Sequence, residues 1–312
     1  MRALAIDLGG THATCAVVED RELKASITLP MESSRGLRPA LPLFVDAFRK
    51  LMDQTGLKLD QCAGLAFGFA GLVSFKTGRV VSTNQKYDDA LEVDLPAWCK
   101  ESLGLPLRIE NDARMALLGE YYAGAAQGFS DVVMMTLGTG IGGAAMIEGK
   151  LLRGKHSQAG CLGGHIPVLF TGRRCTCGNI GCAEAEASGW ALPLIVKGWP
   201  GVRESTLAKH ESPGFLELFD AAGKGDPVAE AIRNRCLHVW AAAASGLIHM
   251  YDPEIVVVGG GVMKSGAVIL PYMQNYVSTY PWTPWGKVQV RAASLGNHAG
   301  LLGAIPLLTE SN

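Results

Sequence analysis

Four side chains between positions 165 and 182 carry donors suited to zinc: His165, Cys175, Cys177 and Cys182. A C-x-C-x4-C run with a histidine ten residues ahead of it fits a structural metal site better than a loop of free thiols. Glu184 follows two residues after the last thiol. A second candidate for chemistry is Asp112, which stands after Asn111 where a short strand over 107–110 gives way to a helical pattern over 113–122. Two readings of that acid compete. It can cap the helix, or it can be a general base fixed at the C-terminal edge of a strand, with Asn111 beside it for a hydroxyl of a sugar. The third candidates are glycine-rich turns, Leu8-Gly9-Gly10-Thr11-His12 and Gly138-Thr139-Gly140-Ile141-Gly142-Gly143. Such turns present backbone N–H groups with no side chain in the way, as phosphate-binding nests do, although a plain hairpin uses the same residues. Asp7, at the end of the strand before the first turn, is placed to hold Mg²⁺ through water.

These residues need elements to position them. The pattern predicts a strand over 3–7 with a return over 15–19, and a strand over 132–137 with a return through 147. The same strand, Gly-Thr turn, strand plan thus occurs twice, about 130 residues apart. A duplicated α/β fold with two phosphate-gripping hairpins facing a common cleft accounts for the echo. Between the two copies lie a helical pattern over 37–51, a buried strand over 64–69 and a hairpin over 73–81. Beyond them, 226–251 is the longest helical stretch, ended by Asp252-Pro253. A β-branched strand over 254–258 then runs into Gly259-Gly260-Gly261 and a helix over 264–280. A strand, glycine run and helix form a nucleotide-binding turn where missing side chains admit a base or sugar. The run is not G-x-G-x-x-G, so a Rossmann reading is unsupported. A strand over 288–292 and a helix over 298–308 close the chain.

With 312 residues, 48% hydrophobic and 18% charged, the chain has the length and composition of about two globular domains. The net charge is −1, without the basic face expected of a nucleic-acid partner. No apolar run is long enough to span a membrane or to serve as a signal peptide. Three of the eight cysteines cluster, which suits metal binding in a reducing cytoplasm better than a disulfide framework.

In order along the chain stand D-L-G-G-T at 7–11, E-N-D-A at 110–113, L-G-T-G-I-G-G at 137–143, G-G-H at 163–165, C-T-C-G-N-I-G-C at 175–182 and V-V-G-G-G-V at 257–262. Together they resemble the ROK family (repressors, open reading frames and sugar kinases) of the hexokinase/actin-like superfamily, over nearly the whole chain. That resemblance implies an α/β, two-lobed actin-like ATPase fold made of duplicated ribonuclease H-like units, with a cleft between the lobes and a small zinc-bound loop. The N-terminal lobe would comprise 1–113 plus about 297–312, and the C-terminal lobe 114–296 with the zinc loop. The activity implied is ATP-dependent phosphorylation of the primary hydroxyl of a hexose or related sugar, with Asp112 as general base. Asn84, Asn111, His165 and Glu184 would contact the sugar. Asp7 would serve Mg²⁺, while Gly9, Gly10, Thr11, Gly138, Thr139 and Gly140 hold the ATP phosphates and Gly259, Gly260 and Gly261 wall the adenosine. His165, Cys175, Cys177 and Cys182 would bind a structural Zn²⁺, and a cytoplasmic homodimer is implied.

Two positions depart from the family pattern. Where the family has Gly-Glu-x-Gly-His, this chain reads Gly160-Cys161-Leu162-Gly163-Gly164-His165, so the sugar-binding carboxylate is absent. Its loss removes a strong discriminator between epimers. Arg114 stands where many relatives have Asn, and the helical pattern suggests that it faces solvent. A sugar-binding protein with weak catalysis is therefore a competing expectation. A sugar-responsive regulator is less consistent, since the first strand begins near residue 3 and leaves no room for a DNA-binding segment ahead of it.

Overall fold

The computed structural model describes residues 1–83 and 85–310; the expected sugar contact Asn84 lies outside the described residues. The chain forms two compact units, one of Met1–Gly128, Arg153–Cys161 and Ser294–Asn312, the other of Phe129–Leu152 and Leu162–Ala293.

In the first unit, β1 (Arg2–Leu8), β2 (His12–Glu19) and β3 (Glu22–Pro30) pair antiparallel. Helix α1 (Leu41–Thr55) follows, then β4 (Leu65–Phe69), the small hairpin β5 (Leu72–Ser74) and β6 (Arg79–Ser82), and α2 (Leu95–Leu103). Strand β7 (Leu107–Asn111) completes a sheet of order β3-β2-β1-β4-β7 and leads straight into α3 (Asp112–Ala123). β4 is buried at every position, as expected of a parallel strand covered on both faces. α1 turns Leu41, Phe44, Phe48 and Leu51 into the core at helical spacing, and Gly56 ends it in the left-handed region.

The second unit repeats the plan. β8 (Val132–Leu137), β9 (Ile141–Ile147) and β10 (Lys150–Leu151) are antiparallel neighbours. Short helices α4 (Ala183–Ala187) and α5 (Leu192–Lys197) precede α6 (Phe215–Gly223) and the long α7 (Pro227–Tyr251). β11 (Ile255–Gly259), α8 (Gly266–Thr279) and β12 (Gln289–Ala292) complete a sheet of order β10-β9-β8-β11-β12. Both sheets place three antiparallel strands first and two parallel strands after them, the duplication expected from the repeated turns. Asp226 caps α7 by accepting from the amides of Val228 and Ala229, with Pro227 in the first turn. Among the described residues no helix is long and apolar enough to cross a membrane.

The compact units divide the chain differently from the expected lobes. A boundary at 113/114 would cut α3 from its own sheet. Instead α3 packs against α9 (Ala299–Leu302), and α10 (Ala304–Thr309) lies beside both. Gly119 leaves room for the Ala299 carbonyl, which a β-carbon would approach to 1.9 Å. Glu120, fully buried, accepts from the amides of Ala125 (2.7 Å), Ser294 (3.1 Å) and Leu295 (2.8 Å) and from the Ser294 hydroxyl. One carboxylate therefore ties the segment after α3 to the returning C-terminal chain, which extends the first unit to Gly128 and restarts it at Ser294.

Arg114 does not face solvent. It is completely buried and pairs with the equally buried Glu110 at 3.2 Å, four residues back at the end of β7. Glu110 also receives Arg153 at 2.5 Å, and Arg153 makes two parallel bonds to Glu310 at 2.6 and 2.7 Å while stacking 4.1 Å over the Phe75 ring. The second terminal nitrogen of Arg114 donates to the carbonyls of Ser157 (3.2 Å) and Ala159 (2.5 Å). Two guanidiniums on one buried carboxylate thus staple Arg153–Cys161 to the first unit. Helical spacing alone could not reveal this, because most of the network comes from two distant stretches of chain, 153–159 and 310. Removing one member leaves an uncompensated buried charge, so Arg114→Ala should lose about 3–5 kcal/mol in urea unfolding. A loss below about 1 kcal/mol would show that the network carries no weight.

Candidate active site

The registers Leu8↔Phe69 and Phe69↔Asn111 align the C-terminal ends of β1, β4 and β7, the edge where open α/β sheets bind ligands. Asp7, the 9–12 turn and Asp112 all emerge there. The structure shows which residue caps α3. The cap is Asn111: its side-chain oxygen accepts from the amides of Ala113 (3.1 Å) and Arg114 (3.2 Å). Its amide nitrogen donates to the Gly71 carbonyl (3.1 Å) and to Asp112 Oδ1 (2.9 Å). Asp112, first residue of the helix, also takes the Ala113 amide on Oδ1 (2.9 Å), and Oδ2 has no hydrogen-bond partner among the described residues. Asp112 is thus oriented through one oxygen and open at the other. Burial raises its carboxyl above the usual range, while the Ala113 amide, the Lys86 ammonium and the Asn111 amide draw it down. Burial likewise pushes Asp7 up to about 7, with the charge of Asp112 adding to the rise.

Not all the expected phosphate amides are available. Gly9 donates to the His12 carbonyl (2.9 Å) and Gly138 to that of Gly140 (3.0 Å), so both N–H groups are used inside their own turns. The amides of Gly10, Thr11, Thr139 and Gly140 meet no acceptor among the described residues, which makes them the donors of the two turns. The glycine run after β11 also divides by role. Gly260 has φ of 93° and approaches Leu137 so closely that a β-carbon would lie 2.3 Å from its carbonyl oxygen. It closes the packing of β11 against β8, whereas Gly261 faces open space.

In the second unit, Glu184 is buried and accepts from the Ile141 amide (2.8 Å) and the Trp190 indole (3.2 Å). It lies so close to Gly140 that a β-carbon there would meet its Oε2 at 2.6 Å. Glu184 therefore braces the 138–140 turn, and only its remaining lone pairs are open to a ligand. His165, Cys175, Cys177 and Cys182 do come together, with ligand atoms all within 4.8 Å of one another. His165 Nδ1 faces Cys175 Sγ at 3.5 Å, and the sulfurs of Cys177 and Cys182 are 3.7 Å apart. A tetrahedral ion with bonds of about 2.3 Å to sulfur needs edges of roughly 3.8 Å, so the donor set fits zinc in kind and in size. With Nδ1 directed at the cluster, His165 keeps Nε2 for another partner. The knot is seated by Glu186, which is almost fully buried and takes the guanidinium of Arg235 on α7 and the Arg173 amide. Gly164 lies against β9, where a β-carbon would come within 1.9 Å of the Ile141 carbonyl.

The departure from the family motif is also visible. Cys161 belongs to the first unit and is buried, its thiol directed to the carbonyls of Ser157 and Gln158 within its own loop. Leu162 belongs to the second and is 38% exposed. Neither offers a carboxylate. Several side chains escaped the sequence reading: Lys86, whose charge acts on Asp112, Tyr87, which donates to the Gly9 carbonyl at 2.7 Å, and Trp190. None lies in a motif, and no spacing signal would have singled them out.

The model of the ROK family matches residues 3–311. A protein named glucokinase from Thermotoga maritima is 31% identical, with 99% of this chain and 98% of that one covered. An N-acetylmannosamine kinase from Haemophilus influenzae is 29% identical over 97% of this chain and 94% of its own. Among solved structures, a ROK family glucokinase from Streptomyces griseus in complex with glucose and AMPPNP superposes with a TM-score of 0.78 at 30% identity, covering 98% of this chain and 99% of that one. By the match along its whole length, the chain belongs to the ROK family.

Proposed function

We propose that this chain is a sugar kinase that transfers the γ-phosphate of ATP to the primary hydroxyl of a hexose or related sugar. The observation that carries the reading is Asp112: capping is performed by Asn111, so the acid is oriented but keeps one oxygen for a proton. In the proposed reaction Asp112 removes the hydroxyl proton as the oxygen attacks phosphorus. The amides of Gly10, Thr11, Thr139 and Gly140 stabilise phosphate oxygens, and Gly261 leaves room for the nucleoside. Asp7 would help hold Mg²⁺, which would supply charge to neutralise the phosphates. Relatives named glucokinase and N-acetylmannosamine kinase, and the neighbour bound to glucose and AMPPNP, support the same chemistry.

His165 and Glu184 are the sugar contacts in this reading, with Asn111 acting through its hold on Asp112. Zinc held by His165, Cys175, Cys177 and Cys182 would supply rigidity rather than chemistry. With Nδ1 turned to the thiols, His165 would keep Nε2 for a sugar hydroxyl. Because Cys161 and Leu162 replace the family's sugar-gripping Glu, the preferred sugar need not be glucose.

An ATP-consumption assay across hexoses, N-acetylhexosamines and ketoses tests the reading: at least one sugar should be turned over, and binding of a sugar with no turnover of any would favour a non-catalytic sugar binder. For the accepted sugar, Asp112→Asn should cut kcat by at least about 100-fold with sugar affinity kept within a few-fold. Near-normal turnover would remove Asp112 from the mechanism. Metal analysis should find one zinc per chain. Cys177→Ser should lose it and weaken sugar binding more than nucleotide binding, and a variant with full sugar affinity and no zinc would sever the metal from the sugar site.

A further inference from the structure

Lys86 lies in the first unit, on the loop between β6 and α2, outside every motif of the chain. Its side chain crosses the open face of Gly10 in the first glycine turn. The Cε and Nζ atoms come within 3.4 and 3.5 Å of where a β-carbon on Gly10 would stand. The ammonium therefore lies beside a turn whose Gly10 and Thr11 amides are unpaired among the described residues. No hydrogen bond or ion pair occupies it among the described residues. The same ammonium is the charged group that draws the Asp112 carboxyl down against burial.

The backbone around it is held firmly. Gln85 and Tyr87 both take left-handed conformations, with φ of 63° and 56°. Such conformations persist when their surroundings over-determine them. The Tyr87 hydroxyl bonds the Gly9 carbonyl at 2.7 Å, and the Tyr87 amide bonds Ser33, whose own amide reaches the Gly10 carbonyl at 3.3 Å. The Asp89 carboxylate accepts the amides of Leu37 and Arg38, and Thr83 donates to Asp88 at 2.5 Å. These bonds fix the backbone that carries Lys86 beside the glycine turn.

We propose that Lys86 places its ammonium on the γ-phosphate of ATP during transfer, between the donor amides of the first turn and the base Asp112. This inference rests on the kinase reading. A phosphoryl group in transfer spreads negative charge over its three peripheral oxygens, and a fixed cation there stabilises it without any covalent step. Lysine suits the task as a compact point charge on a flexible stem. The same charge draws the Asp112 carboxyl down against the rise that burial causes, so a single side chain acts on both the proton acceptor and the group transferred.

The test compares Lys86→Met and Lys86→Arg with the unaltered protein in two measurements. In turnover with the accepted sugar, Lys86→Met should lower kcat by about 100-fold while the KM for sugar stays within twofold, and Lys86→Arg should recover much of the loss. In calorimetric titration, Lys86→Met should bind ATP about tenfold more weakly and ADP as before, because only ATP carries the γ-phosphate. A kcat within threefold of normal, or equal weakening of ATP and ADP, would overturn the assignment, the latter exposing a merely structural role for the loop. If the unaltered protein phosphorylates no sugar, the kinase reading fails, yet the ATP-to-ADP ratio still decides whether Lys86 meets the γ-phosphate.

Discussion

The first turn of α3 has backbone amides that need acceptors, and the side chain that meets this need is Asn111. An acid at the start of a helix is ordinarily consumed by capping, its oxygens committed to amides and its proton affinity lowered. Here one asparagine satisfies those amides with its oxygen and orients Asp112 with its nitrogen. The environment can then set the proton affinity of Asp112: burial lifts it, and a neighbouring ammonium limits the lift. The rest of the first unit supports this arrangement. Three parallel strand ends bring Asp7, the glycine turn and Asp112 to one edge, and the Arg114–Glu110–Arg153 cluster holds a later segment of chain against the helix that begins at Asp112.

Much of this was legible in the sequence because it depends on local signals. Glycine turns, apolar strands and thiol spacing each have a physical meaning within a few residues, and the repeat of a turn about 130 residues on reveals the duplication. The sheet orders follow that repeat closely. What the sequence did not disclose depends on residues distant in the chain. Arg114 looked like a surface side chain because the carbonyls that receive it come from 157 and 159, and its partner Glu110 is shared with Arg153. The division into units moved for a similar reason, since Glu120 binds chain from 125 and from 294–295. The glycine motifs also promised more open amides than exist. Gly9 and Gly138 use theirs to close the turns that the motifs describe.

The cysteine cluster shows both sides of this limit. Its ligand types and spacing were sufficient to foresee four donors converging within reach of one ion. They could not show which imidazole nitrogen turns inward, nor that Glu186 and Arg235 seat the knot on α7. Glu184, adjacent in sequence, proved to be a brace for a glycine turn as well as a candidate ligand.

The two glycine turns descend from one structural plan, yet their immediate neighbours have opposite sign. The first is crossed by a cation, Lys86, and the second is backed by an anion, Glu184. An anion would gain from the cation at the first turn and be repelled by the carboxylate behind the second. A plan repeated in the backbone is therefore not repeated in its electrostatics, and the two turns differ as anion sites although their folds are alike.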